Sequence, residues 1–226
     1  MTMTKETLNR DQMAAITARR LQPGWVINLG AGMPAWVSNY IFPEDDLTLH
    51  SEHGLLGYGR VASPEEEDLD VTNASGDYVT LLPGAAVMDH ADSFGMIRKG
   101  VLDCVILGSY EVDQTGSFAN WKRSNDMPIG IGEFMGGAMD LAQCSKRVWL
   151  MMDHTTNEGR PRLLKKCSLP LTGLNVVSLV VTNLGAFEIT DAGFVLVEHA
   201  PGYTVEEIQA LTDAPITVSP DLRPAV

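Results

Sequence analysis

The sequence predicts an α/β fold: a mostly parallel sheet flanked by helices, with some antiparallel strands toward the C-terminus. Three observations carry this. First, an apolar run from Trp25 to Leu29 is followed by a glycine–proline loop, a helical stretch and a second apolar run ending at Glu52. That strand–helix–strand order builds parallel sheets. Second, the alternation of apolar runs with helical stretches continues to Met152. Third, the apolar runs after Pro170 are closely spaced and read as antiparallel pairs.

In chain order, Asn9 with Gln12 three positions later reads as a helix cap. The helix it starts carries Met13, Ala14, Ile16 and Leu21 and ends at Pro23-Gly24. Trp25 to Leu29 is a buried strand. Gly30-Ala31-Gly32-Met33-Pro34 is a tight loop, and Pro34 suits the first turn of a helix reaching Ile41. Leu47 to Glu52 is the second strand. Tyr78 to Leu82 reads as a strand, His90 to Arg98 as a helix, Val101 to Leu107 as a buried strand, Ala138 to Cys144 as a helix and Val148 to Met152 as a strand. Val176 to Thr182, Ala186 to Ile189 and Val195 to Glu198 are the closely spaced strands. Thr204 with Glu207 caps a last helix to Leu211. With no repeat, linker or low-complexity tract, residues 1–226 read as a single domain.

Composition narrows the function. Apolar residues make up 45% of the 226, enough for a sizeable core. A formal net charge of -13 argues against nucleic acid as the main partner, because phosphates are repelled over most of such a surface. It leaves room for a small anionic substrate in a locally positive pocket. No apolar run approaches a membrane span, and Met1 to Arg10 lacks the apolar middle of a signal peptide. The odd, scattered cysteines Cys104, Cys144 and Cys167 suit buried thiols in a reducing cytoplasm better than disulfides or a metal site. The run Glu65-Glu66-Glu67-Asp68 reads as a solvated loop.

The chemistry concentrates at Glu52. An apolar strand stops at Ser51-Glu52, and Gly54, Gly57 and Gly59 follow, which removes side chains where a substrate needs room. A carboxylate there is a nucleophile, a general base or only a turn residue. Partial desolvation by the preceding apolar segment favours the nucleophile. Asn28 ends the neighbouring strand, and ligands of parallel sheets bind at such carboxyl ends. Gly30 and Gly32 lack the third glycine of a dinucleotide loop and the lysine–serine of a P-loop. The densest glycine cluster, Gly130 to Gly137, opens a helix, so backbone N–H groups of Gly136 and Gly137 form a candidate oxyanion hole for a nucleophile. Asn120, in Ala119-Asn120-Trp121, is a candidate pocket residue. None of the histidines falls in a metal-binding pattern and no Gly-x-Ser-x-Gly elbow occurs, so no metal is expected. The histidines read as hydrogen-bonded or pocket-lining groups, with His53 beside the site.

Taken together, these segments resemble the B (β) chain of the family I coenzyme A-transferases of the 3-oxoacid type. The family's [Leu/Phe]-[His/Gln]-Ser-Glu-Asn-Gly signature, followed by two apolar residues and a glycine, stands here as Leu49 to Gly57. Val26 to Pro34, Leu82 to Ala85, Ser93 to Arg98, Ala119 to Trp121, Met135 to Leu141, Lys166 to Gly173 and Val218 to Leu222 are similar to further family blocks. His53 replaces the family's asparagine, Arg60 its proline and Phe134 its glycine. Arg60 is therefore a candidate for meeting the distal carboxylate of a dicarboxylic substrate.

The resemblance implies transfer of CoA from succinyl-CoA or acetyl-CoA to a 3-oxoacid such as acetoacetate or 3-oxoadipate. Glu52 carries the covalent glutamyl-CoA thioester in ping-pong fashion, Gly136 and Gly137 stabilise the oxyanion, and Asn28 orients the acyl or glutamyl oxygen. CoA is a substrate, and no permanently bound cofactor is implied. The Gly-Gly-Phe-type CoA-recognition motif of the family's A half is absent. The chain is thus expected to work only with a separate A (α) chain, in an α2β2 heterotetramer. Two other readings stay open: an acyl-CoA hydrolase or lyase with Glu52 as general base, helped by His53, and a non-catalytic sensing module on a related fold.

Overall fold

A computed structural model describes residues 5–124 and 135–225. The first turn follows from the capping box: Asn9 accepts from the Gln12 N–H and Gln12 accepts from the Asn9 N–H, starting α1 (Arg10–Ala18). The helix stops at Ala18, earlier than Pro23-Gly24 predicts. Leu21 still reaches the core through a turn in which its N–H bonds to Ala18 O.

The strands and helices then run β1 (Val26–Leu29), a 3-10 helix (Met33–Tyr40), β2 (Thr48–Ser51), β3 (Leu55–Val61), β4 (Val79–Val87) and α2 (His90–Arg98). After these come β5 (Cys104–Leu107), β6 (Glu111–Asp113), β7 (Phe118–Ala119), α3 (Ala138–Cys144), β8 (Val148–Met152) and β9 (Leu163–Leu164). The C-terminal part holds β10 (Val177–Thr182), β11 (Gly185–Thr190), β12 (Gly193–His199), α4 (Val205–Ala210) and β13 (Ile216–Pro224). Pro34 opens a helix as expected, but one of 3-10 type.

Ten strands form one sheet in the order β13-β12-β11-β10-β8-β5-β1-β2-β3-β4. Its centre, β10-β8-β5-β1-β2, is parallel throughout. The expected antiparallel pairs lie at β10-β11-β12. A second antiparallel set, β2-β3-β4, lies on the opposite side, where the apolar pattern gave no sign of it. The reason is chain length: only Glu52, His53 and Gly54 join β2 to β3, and a parallel return needs a dozen or more residues. A small sheet, β7-β6-β9, stands apart from the large one.

The parallel strands read as continuous apolar runs because both faces are covered. Alternate residues divide between the two cores. Cys104, Ile106, Trp149 and Met151 pack on the α1 and 3-10 side. Val105, Leu107, Val148, Leu150 and Met152 pack on the other, with Ile97 of α2, Leu141 of α3 and Ile208 of α4. This three-layer stack brings the carboxyl ends of β1, β2 and β5 side by side. β1 is followed in sequence by β2 on one flank, while β5 lies on the other, so a crevice opens between them.

Candidate active site

A cavity of about 500 Å³ fills that crevice. Asn28, Gly30, Ala31 and Met33 come from the end of β1, Glu52 from the end of β2, and Leu107 to Tyr110 from the end of β5. Met135 to Ala138 and Leu141 close it from α3, while Ala74, Asn120 and Arg162 complete the wall. Asn28, Glu52, Asn120, Gly136 and Gly137 therefore meet in one place, as the sequence suggested. Gly130, Gly132 and Phe134 lie outside the described residues.

Glu52 is the first residue after β2 and is half-buried. The Gly137 N–H donates to its carboxylate. A Cβ built at Gly137 would collide with that carboxylate and stand 2.9 Å from Phe94 Cζ, so only glycine admits this approach. Helix α2 holds the arrangement: Arg98 pairs with Asp140 of α3 at 2.9 Å. Burial lifts the Glu52 carboxyl above its ordinary range, against the Gly137 N–H and the His53 and His90 rings, which favour the charged form. The net rise gives a more basic, more nucleophilic carboxylate than a solvated one.

Asn28 is held by a short relay. Its side-chain Nδ2 donates to His50 Nδ1 at 3.1 Å, and His50 Nε2 lies 2.9 Å from Ser93 Oγ. An amide nitrogen only donates, so Nδ1 accepts, the neutral ring carries its proton on Nε2, and that N–H donates to Ser93. Burial, with His53 nearby, pushes the His50 pKa down to about 4 and keeps the ring neutral. Asn120 is fixed as firmly. Its backbone N–H donates to Thr172 Oγ1 at 3.0 Å, its Nδ2 to Gly108 O at 3.1 Å, and its Oδ1 accepts from Thr172 at 2.7 Å.

Three groups that the sequence placed at or near the site are not part of the cavity wall. His53 is exposed, its Nδ1 is 2.8 Å from Ser51 Oγ, and it is not part of the cavity wall. Its ring reaches Glu52 only through charge. Gly54, Gly57 and Gly59 make room for β4 and the residue after it. A Cβ at Gly54 would collide with Met88 O, and one at Gly57 would lie 3.1 Å from Ala85 Cα. Both glycines have φ in the left-handed region, at 119° and 79°. Arg60 is turned away from the cavity and pairs with Glu66 at 2.9 and 3.0 Å. Glu66 in turn accepts from the Ser63 N–H, so one member of the acidic run has a structural job.

Tyr110, Ser109 and Arg162 are cavity residues that the sequence did not single out. For Arg162 a signal existed: it is a basic residue in the segment that leaves the carboxyl end of β8. Among the described residues no group of three or more His, Cys, Asp or Glu side chains is placed to hold a metal ion.

Within known proteins, the family described as Coenzyme A transferase matches residues 10–211. The chain belongs to the coenzyme A transferase family. Over 216 residues it is 43% identical to the B chain of the 3-oxoadipate CoA-transferase of Pseudomonas putida, covering 96% of this chain and 99% of that one. It is 41% identical over 218 residues to the mitochondrial succinyl-CoA:3-ketoacid coenzyme A transferase 2B of Mus musculus, covering 96% of this chain but 41% of the mouse protein. In fold, this transferase chain is similar to the decarboxylase AibA/AibB, with a TM-score of 0.70 at 22% identity over 96% of this chain and 88% of that one. The fold alone thus hosts more than one reaction, and the site must decide which. Glu52, the glutamate of the Leu49 to Gly57 signature, stands at the wall of the cavity.

Proposed function

We propose that this chain is the B (β) half of a 3-oxoacid CoA-transferase in which Glu52 carries CoA. The observation that carries the reading is the half-buried Glu52 carboxylate at the end of a parallel strand, facing a cavity and touching a backbone N–H. Glu52 attacks the thioester carbonyl of succinyl-CoA or acetyl-CoA, giving an acyl-glutamyl anhydride and the CoA thiolate. The thiolate attacks the glutamyl carbonyl, releasing the donor acid and leaving a glutamyl-CoA thioester. The carboxylate of the acceptor 3-oxoacid attacks that thioester, and the thiolate expelled then attacks the acceptor's acyl carbonyl. Glu52 is regenerated and the acceptor leaves as its CoA ester. No proton is gained or lost, so the sequence needs no general base.

The chain's own residues supply positioning and charge stabilisation. The Gly137 N–H holds the carboxylate before attack and stays beside the oxyanion that forms on the same glutamyl carbonyl. The Asn28 amide, oriented by His50, presents polar atoms to the acyl or glutamyl oxygen. The 41% coverage of the mouse enzyme supports a second half supplied by another chain. We propose that this half is a separate A (α) chain in an α2β2 assembly, working in the cytoplasm.

The test is chemical trapping. The complex, incubated with acyl-CoA and then with borohydride or hydroxylamine, is expected to carry the modification at Glu52, and Glu52→Gln none. An active complex left unmodified at Glu52 would overturn the reading and favour base catalysis.

A further inference from the structure

Two residues with charged side chains line the cavity among the described residues: Glu52 and Arg162. Glu52 has a partner in Gly137. Arg162 does not. Its backbone is pinned, the N–H donating to His154 O at 3.0 Å and the carbonyl accepting from the Val112 N–H at 3.0 Å. Its side chain is half-buried and makes no ion pair among the described residues.

Among the described residues, the acids that share a depression with Arg162 are engaged elsewhere. Arg162 also borders an adjoining depression that contains Glu111, Asp213, Arg123 and Arg160. Glu111 accepts from the Ser168 N–H and hydroxyl at 2.7 Å and from the Leu169 N–H at 3.0 Å. Asp213 accepts from the Lys165 N–H. Arg160 pairs with Glu158, and Arg123 stacks on Tyr110. Arg162 is thus a half-buried cation whose fork of donors is unspent among the described residues, on the wall of the cavity that holds the reacting carboxylate. Such a group favours a planar anion it can grip at two points.

We infer that Arg162 binds the distal carboxylate of a short dicarboxylic substrate whose other carboxyl carbon reacts at Glu52. The assignment rests on the reading of Glu52 as nucleophile. The reacting carboxyl of any acid must meet Glu52, so a ligand group held by Arg162 in the same cavity is a second anionic end. The phosphates of CoA are a full pantetheine arm from its sulfur and fit this position poorly. The role that the sequence suggested for Arg60 passes to Arg162, because Arg60 already has Glu66.

The decisive comparison uses two thioesters of equal chain length, succinyl-CoA and butyryl-CoA, which differ in a terminal carboxylate against a methyl. In the complex with the α chain, the rate of CoA-thioester formation at Glu52 is measured with each. The wild type is expected to prefer succinyl-CoA. Arg162→Met lowers the succinyl-to-butyryl ratio by about tenfold or more, the worth of one charge-assisted hydrogen-bonded contact. Arg162→Lys keeps part of the preference, since it retains charge without the fork.

An unchanged ratio in both variants overturns the assignment. Equal slowing with both thioesters also overturns it and moves Arg162 to the phosphates of CoA. If the wild-type complex forms no adduct at all, the nucleophile reading fails. The Arg162 assignment is then decided by NMR titration of succinate against butyrate: succinate binding lost in Arg162→Met supports it, and binding unaffected by the substitution rejects it.

Discussion

Glu52 and Gly137 fit closely against one another. A carboxylate pressed against a backbone N–H leaves no volume for a side chain on the glycine. Gly137→Ala is therefore expected to push the carboxylate off its donor while leaving the fold in place, because Gly137 lies at φ -82°, a conformation alanine adopts freely. A displacement of this kind costs about 10²-fold in turnover. Thermal unfolding within a few degrees of wild type, together with that loss in kcat, would bear this out. Wild-type turnover would show that the contact has no catalytic weight. At this scale the sequence was most informative where chemistry is local. Glu52, Asn28 and Asn120 were legible as strand-end or loop polar residues. Arg162 carried only the weak signal of a basic residue after a strand's carboxyl end, because its lack of a partner among the described residues is visible only in the folded chain.

Among the elements, the helix starts were the most legible part of the chain. The Asn9–Gln12 and Thr204–Glu207 boxes form as written, since both partners lie within one turn. Strands at the sheet margins were the least legible. β13 contains Pro220 and ends at Pro224, residues tolerated at a sheet edge but misleading in a sequence. What fastens β13 is a charge cluster joining three elements. Glu198 of β12, 1% exposed, accepts from Arg223 of β13 at 2.7 Å and pairs with Arg19 at 2.5 Å and Arg20 at 3.0 Å beyond α1. Burial opposes ionisation of Glu198, but Arg223, Arg20 and Arg19 together hold its carboxyl below the ordinary range. Glu198→Gln leaves three guanidinium groups facing one another without their counter-ion. An unfolding free energy lower by roughly 3–5 kcal/mol is expected in urea titrations. A loss below about 1 kcal/mol would mean that solvent screens the cluster.

For the molecule as a whole, two buried histidines set an acid limit to stability. His50 underlies the cavity, and His154 is held between Thr182 and Thr212 at 3.0 and 2.8 Å. Burial lowers each from 6.5 to about 4, with His53 adding to the effect on His50. Between those values the unfolded chain binds protons that the folded chain refuses. Stability is therefore complete above pH 6.5 and is lost as pH falls toward 4, by up to roughly 3 kcal/mol per histidine. Urea midpoints should decline from pH 6.5 to 5, with a shallower slope in His154→Gln. A midpoint flat across that window would contradict the assignment. By itself the sequence determined what depends on near neighbours or on covering both faces of a strand: the helix caps, the apolar parallel centre, and a carboxylate stranded at a strand's end. Tertiary structure decided what depends on distant segments meeting. It turned the glycines after Glu52 into a strand-packing device, gave Arg60 to Glu66, and left Arg162, on the wall of the same cavity as Glu52, without an ion pair among the described residues. A charge's function depends on which neighbours neutralise it, and those neighbours are far away in the chain.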